Sequence, residues 1–280
     1  MARRSDATRV KVDDPFHMIV PYVMPNRTQA EVSYTEHFDI TKLVKYIETK
    51  NKGLKKNDEK LKLFHCICYA TAKTIYHRPL MNRFIKGKYF WQRNDITLSF
   101  VAKQQFSDGA EEKLMLLKVE PNMTVKDISR IIVGDVSKAR KENSNDLDKT
   151  MRIVGSLPRF VKTIIFWVVN KMDFYGIMPS SLMKGDPNYS TVLLSNLGSI
   201  GAKSAYHHLS EYGTNSVMMT IGTMKNDTKT KIGLDITYNF DERIADGFYF
   251  AKSLRYMKYC FENPKAMEKV ISETFPEGII

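Results

Sequence analysis

Cysteine is scarce in this chain: Cys66, Cys68 and Cys260 are the only three in 280 residues. An odd count without paired spacing excludes a disulfide framework, and Cys66-Ile-Cys68 is neither a zinc nor a redox spacing. The pair lies in an apolar, helix-like stretch and reads as buried free thiols, with a reducing cytoplasm as the fitting compartment. Long hydrophobic runs are missing too. The longest, Phe160 to Val169, is far short of the roughly 20 residues a membrane span needs. Lys162 interrupts it, and Asn170, Lys171 and Asp173 follow. It reads as a buried or partner-facing helix, with a membrane-surface helix as the alternative. Met1-Ala-Arg-Arg4 is not followed by an apolar core, so no secretory signal is expected. The six histidines lack an HExxH or comparable spacing, so no metal site is expected.

What is present is a chain able to bury a large core. Hydrophobic residues make up 43% and charged residues 26%, which excludes disorder by composition. The net charge of +12 suits an anionic partner such as nucleic acid, a membrane surface or a phosphate-bearing ligand. The basic residues are dispersed, and the densest run, Lys50 to Lys56, reads as a solvated loop. Nucleic acid is therefore not the expected partner.

Residues 1–28 are polar with several prolines and read as an N-terminal arm, and 29–280 as one domain. Glu31 to Phe38 alternates and predicts a strand. Helices are expected over Thr41 to Lys50, with Asp39 as its cap, and from Asn57 or Asp58 to Tyr76. Phe84 to Trp91 and Ile96 to Lys103 read as a hairpin turned at Arg93-Asn94-Asp95, and Lys113 to Val119 as a strand. Further helices are expected over Val125 to Lys141, Asp146 to Gly155 and Phe160 to Tyr175, then a loop over 177–188. Three strands, Ser190 to Asn196, Ser216 to Met224 and Lys231 to Phe240, precede helices over Phe248 to Phe261 and Pro264 to Thr274. This mixture without regular βαβ alternation predicts an α+β fold with helices on one face of a mixed sheet. Met218 and Met219 read as core residues of their strand.

Two segments stand out: Ser190-Thr-Val-Leu-Leu-Ser-Asn-Leu-Gly-Ser-Ile-Gly201, and Leu234-Asp-Ile-Thr-Tyr-Asn-Phe-Asp-Glu-Arg-Ile-Ala-Asp-Gly247. Together they resemble the catalytic domain of the dihydrolipoamide acyltransferases of 2-oxoacid dehydrogenase complexes, and chloramphenicol acetyltransferase, which shares that fold. In that family the first segment is a strand ending in Ser-Asn-Leu-Gly, matched by Ser195, Asn196, Leu197 and Gly198. The second ends in Asp-His-Arg, two variable residues, then Asp-Gly, matched by Asp241, Arg243, Asp246 and Gly247. Glu242 stands where the family has its catalytic histidine. The resemblance spans about residues 15 to 265, with residues 146–186 as a helical insertion. Together with Tyr206-His-His-Leu209, this looks like a stand-alone bacterial branch of the superfamily.

The resemblance implies an acyltransferase that moves an acyl group between coenzyme A and a thiol or hydroxyl acceptor. The acceptor must lose a proton as it attacks the thioester, and the family uses a histidine because its pKa lies near neutrality. Carried over, Ser195 donates a hydrogen bond to the oxyanion. Asp246 anchors the site with Arg243 as its partner, and Gly247 permits the turn from strand to helix. Three readings of the base stay open. Glu242, a poor base when solvated, would serve if burial raised its pKa towards roughly 6 or 7. His207 or His208 would serve instead, because the family's corresponding stretch lines the acceptor end of the tunnel. Or the base is gone, at a cost of ~10²–10⁴-fold, leaving a coenzyme A-ester-binding or scaffold protein. The remaining histidines, His17, His37, His65 and His77, read as structural.

The resemblance further implies a homotrimer or a multiple of it, with the active site between subunits. It implies no covalently bound cofactor, with acyl-coenzyme A as substrate and a small molecule or a lipoyl group as acceptor. No lipoyl module is seen ahead of the catalytic part, so any lipoate is expected from another protein.

Overall fold

The computed structural model describes residues 4–55, 59–103, 112–141 and 152–279. In chain order the elements are β1 (Ala7–Val10), α1 (Pro15–Val23), β2 (Glu31–Asp39), α2 (Thr41–Asn51), α3 (Leu63–His77), β3 (Arg83–Lys86), β4 (Tyr89–Arg93), β5 (Ile96–Lys103), β6 (Glu112–Val119), α4 (Val125–Lys141), α5 (Arg159–Phe174), β7 (Val192–Asn196), β8 (Val217–Asn226), β9 (Ile232–Asp241) and α6 (Gly247–Glu262). Six strands form one mixed sheet in the order β2-β9-β8-β7-β5-β6, with β7 parallel to both neighbours and every other pair antiparallel. A second sheet, β1-β4-β3, draws its first strand from the segment read as an arm.

Strand alternation decides the two faces of the large sheet. Along β9, Leu234, Ile236, Tyr238 and Phe240 belong to the core, where Phe240 stacks on Phe250 of α6 at 4.1 Å between ring centroids. Each such side chain contributes about 1.5–3 kcal/mol on burial. The residues between them, Asp235, Thr237, Asn239 and Asp241, turn to the other face. Helices α2, α3, α4 and α6 contribute to the same core, so the α+β architecture with helices on one face is as expected. Met218, Met219 and the three thiols are buried, and burial pushes Cys66 and Cys260 up to about 12.

Several local expectations need correction. Asn57 and Asp58 lie outside the described residues, and α3 begins at Leu63 with Lys62 as its cap. The hairpin is β3–β4, turned at Gly87-Lys88, where both residues have positive φ (61° and 64°). That is the signature of a two-residue turn whose twist matches the strands. Arg93-Asn94-Asp95 instead marks the crossing from the small sheet to the large one, where β5 pairs with β6 and β7. The last expected helix shrinks to a 3-10 segment, Pro264–Glu268. Beyond it the backbone bonds back to the loop before α4, with Ile271 N donating to Met123 O and Ser272 N to Pro121 O. Of the expected helix 146–155, residues 146–151 lie outside the described residues, and a helical turn covers 152–156.

Helix α5 is not buried. Asp173 is its one buried residue, while Phe160, Ile164 and Trp167 are exposed. Its inner side packs Val169 and Met172 on a small cluster of Met178, Met183 and Tyr189. Asp173 pins its C-terminal end, meeting Arg4 Nη1 at 2.5 Å and Lys86 Nζ at 2.9 Å. Arg4 also clasps Asp6 at 2.9 Å, which ties the N-terminus into the same pair.

Candidate active site

Ser195 lies near the end of β7, opposite Thr220 of β8, which lies opposite Thr237 of β9. Residues paired across strands share a face, so these three side chains project from the face away from the helices. Thr220 and Thr237 are nevertheless buried, and Thr220 Oγ1 has no hydrogen-bond partner. Part of the cover comes from the chain that follows Ser195-Asn196-Leu197-Gly198. It turns over β8 so closely that a Cβ on Gly198 would sit 2.3 Å from Gly222 O, which is why the motif ends in glycine. Thr223 N then donates to Ala202 O at 2.9 Å, holding the returning segment on the strand.

That segment carries His207 and His208 onto the same face. Asn239, fully buried, grips the backbone of His207: Nδ2 donates to His207 O at 2.8 Å, and Oδ1 accepts from His207 N at 3.2 Å. Asn239 Nδ2 also reaches Glu31 Oε1 at 2.6 Å and Ser33 Oγ at 2.7 Å. The other oxygen of Glu31 accepts from Leu209 N at 2.8 Å. Both imidazoles remain exposed, His208 N donating to His207 Nδ1 at 2.9 Å. Ser195 is two strands and two residues from Asn239, roughly 12 Å by strand geometry. Sequence reasoning missed Asn239 and Glu31. The available signal was an amide at a position of β9 whose strand neighbours are all core.

Glu242 sits apart. Ser195 aligns with Thr237, five residues before Glu242, so ideal strand spacing puts the two roughly 19 Å apart. Glu242 is exposed, and its backbone N donates to Ala30 O at 2.9 Å. Its neighbours are buried. Arg243 is not the partner of Asp246: it grips Asp241 with two bonds of 2.7 Å, from Nε and Nη2, and Nη1 donates to Met24 O at 2.8 Å. Two residues earlier, Asp241 offers both carboxylate oxygens to the planar guanidinium, a fit that a charge-assisted pair favours. Arg27 adds a second buried cation, with Nε 3.9 Å from Asp241 Oδ2. Burial lowers the Arg27 pKa, and Asp241 opposes that shift.

Asp246 instead caps α6, accepting from Tyr249 N at 2.7 Å. Gly247 is the first residue of α6 without positive φ, and a Cβ there would meet nothing within 4 Å, so the turn does not require glycine. Asn196 accepts through its backbone from Ser199 Oγ at 2.8 Å, closing the turn after Ser195. Among the described residues no group of three His, Cys, Asp or Glu could hold a metal. The four other histidines are held locally: His17 by Asp14, His37 between Asp227 and Asp235, His65 by Ser129, and His77 against Ile271 O.

With this geometry in view, the comparisons with known proteins agree on one fold. The pattern of the 2-oxoacid dehydrogenases acyltransferase (catalytic domain) family matches residues 17–148, a stretch that ends before Ser195 and Glu242. No curated protein matches the chain. Among solved structures, a probable dihydrolipoamide acetyltransferase from Listeria monocytogenes superposes with a TM-score of 0.58 at 17% identity, over 91% of this chain and 94% of that one. A truncated catalytic core of the 2-oxoacid dehydrogenase multienzyme complex from Thermoplasma acidophilum gives 0.58 at 13% identity, over 92% and 100%. Chloramphenicol acetyltransferase gives 0.54 at 10% identity, over 94% and 100%. The chain therefore shares its fold with chloramphenicol acetyltransferase and with the catalytic cores of 2-oxoacid dehydrogenase complexes.

Proposed function

We propose that the protein is an acyltransferase that moves an acyl group between coenzyme A and a thiol or hydroxyl acceptor, at a site built between copies of the chain in a trimer. The observation that carries this reading is the separation of the two motifs. Ser195 and Glu242 lie roughly 19 Å apart in one chain, too far to act on one carbonyl. Ser195 of one copy and Glu242 of the next are the halves that a three-fold assembly brings together. The acceptor attacks the thioester carbon, and its proton passes to the base. Ser195 donates a hydrogen bond to the oxyanion. Collapse of the tetrahedral intermediate breaks the carbon–sulfur bond, and the departing coenzyme A thiolate takes the proton back from the base. Glu242 acts in this role once the neighbouring copy removes it from water. The basic surplus of the chain favours a ligand that carries phosphates.

Thiol release from acetyl-coenzyme A over a panel of thiol and hydroxyl acceptors tests the reading. Glu242→Gln is expected to lower turnover by ~10²–10⁴-fold while coenzyme A binding is kept. A loss of that size in His207→Ala or His208→Ala, with Glu242→Gln unaffected, moves the base to the histidine segment that Asn239 holds.

One observation favours a second reading, a coenzyme A-ester-binding or scaffold protein. Glu242 is exposed in the single chain, and a solvated carboxylate is a poor base for a thiol. Calorimetric binding of acetyl-coenzyme A without thiol release from any acceptor would establish that reading instead.

A further inference from the structure

Two helices expose apolar side chains at helical spacing: Phe16, Ile19 and Tyr22 on α1, and Phe160, Ile164 and Trp167 on α5. All six are more than half exposed, between 57% and 71%. A monomeric surface rarely carries such a patch without a use for it. The two helices meet at their C-terminal ends, at the β3–β4 turn. Lys88 Nζ lies 4.3 Å above the Tyr22 ring, and a Cβ on Gly87 would sit 2.1 Å from Phe174 O. Pro21, Asn170 and Phe174 line one recess of about 360 Å³ between them.

Charge selects the occupant. From residue 159 to 184 the basic residues are Arg159, Lys162, Lys171 and Lys184. The one acid in that span, Asp173, is buried against Arg4 and Lys86. The net charge shown to the outside by this segment is therefore wholly positive. Large aromatic and aliphatic side chains, interleaved with Lys and Arg on a helix too short to cross a bilayer, are the composition of a helix that lies in the bilayer interface.

We infer that α5 seats on an anionic lipid bilayer, with Phe160, Ile164 and Trp167 dipping into the headgroup boundary and the Lys and Arg of that segment facing acidic headgroups. Apolar burial supplies the insertion, and the cations supply the preference for acidic lipid. This does not depend on the proposed acyl transfer, because Ser195 and Glu242 are not part of the patch.

The test is flotation of the full chain with vesicles of phosphatidylcholine alone, or mixed equally with phosphatidylglycerol. Co-flotation with the mixed vesicles and not with phosphatidylcholine is expected, weakening as salt rises. Trp91 is buried and Trp167 exposed, so the blue shift of tryptophan emission on binding reports Trp167. Replacing Phe160, Ile164 and Trp167 together by Ser lowers the bound fraction at least ~10-fold. Arg159→Gln and Lys171→Gln lower it about fivefold each. Unchanged circular dichroism and melting confirm that the variants fold. Absence of flotation with mixed vesicles overturns the inference, as does flotation that the triple variant does not weaken. Sedimentation velocity closes the remaining route: if the triple Ser variant loses the oligomer that the parent forms, the patch joins copies of this chain and the bilayer assignment fails.

Discussion

Helices α3 and α5 have nearly the same length, 15 and 16 residues, and both are rich in apolar residues, yet their surroundings are opposite. In α3, eleven residues are buried, among them Cys66, Cys68, Ala70 and Ala72, small side chains that let the sheet and α6 approach closely. In α5 the side chains are bulky and interleaved with cations, and the only buried residue is an acid. Hydrophobicity alone does not place a helix in a core. Side-chain size and the charges between the apolar positions decide whether neighbours can close on every side.

The largest effect expected from breaking this contrast is at Asp173, the polar pin of the exposed helix. Asp173→Asn leaves Arg4 and Lys86 buried with a lost counter-charge, and is expected to cost about 4 kcal/mol in urea unfolding. A loss below about 1 kcal/mol would mean that α5 is held by its apolar side instead.

Truncation separates the two helices next. Ile67→Ala in α3 opens a cavity in the main core and should cost about 3 kcal/mol, whereas Trp167→Ala in α5 should stay within about 0.5 kcal/mol. Matching losses in chemical denaturation would erase the distinction drawn above.

His65 gives the buried helix an acid sensitivity. Burial, and then Lys62, pull its pKa down to about 4, and its Nδ1 accepts from Ser129 Oγ at 2.7 Å. The unfolded imidazole takes its proton near 6.5 and the folded one not until about 4. Stability is therefore full above about pH 6.5 and is lost as pH falls through that window, by up to about 3 kcal/mol. Urea midpoints measured from about pH 7 down to 4.5 should fall accordingly, and the slope should flatten in His65→Gln. An equal slope in that variant would assign the acid loss to other groups.

The sequence was legible where one physical rule acted alone. The strand at Lys231 to Phe240 was legible because every second residue of β9 is core. Ser195 and the Asp241 to Gly247 stretch were found as motifs, in order and on strands. The hairpin was misread because Arg93-Asn94-Asp95 has the composition of a turn, while Gly87-Lys88 achieves one through backbone dihedrals that composition barely marks. Arg243 was paired with Asp246 by carry-over, yet the residue two positions earlier offered the shorter reach. The role of Asn239 was hidden because its partners, His207 and Glu31, lie 32 and 208 residues away. The exposure of α5 was hidden for the opposite reason. Its apolar run looks the same whether a core, a partner or a bilayer covers it.

The turn at Gly87 has a bearing on descent. Its backbone dihedral disfavours a side chain there, and the approach of Phe174 O excludes one. Inheritance of the outer helix and of this glycine is thus linked, although 87 positions separate Gly87 from Phe174. Lineages that keep α5 in this seat must keep the glycine, and lineages that shed the helix are released from half of the constraint. Reading that one position across relatives would date the arrival of the helix without a single further structure.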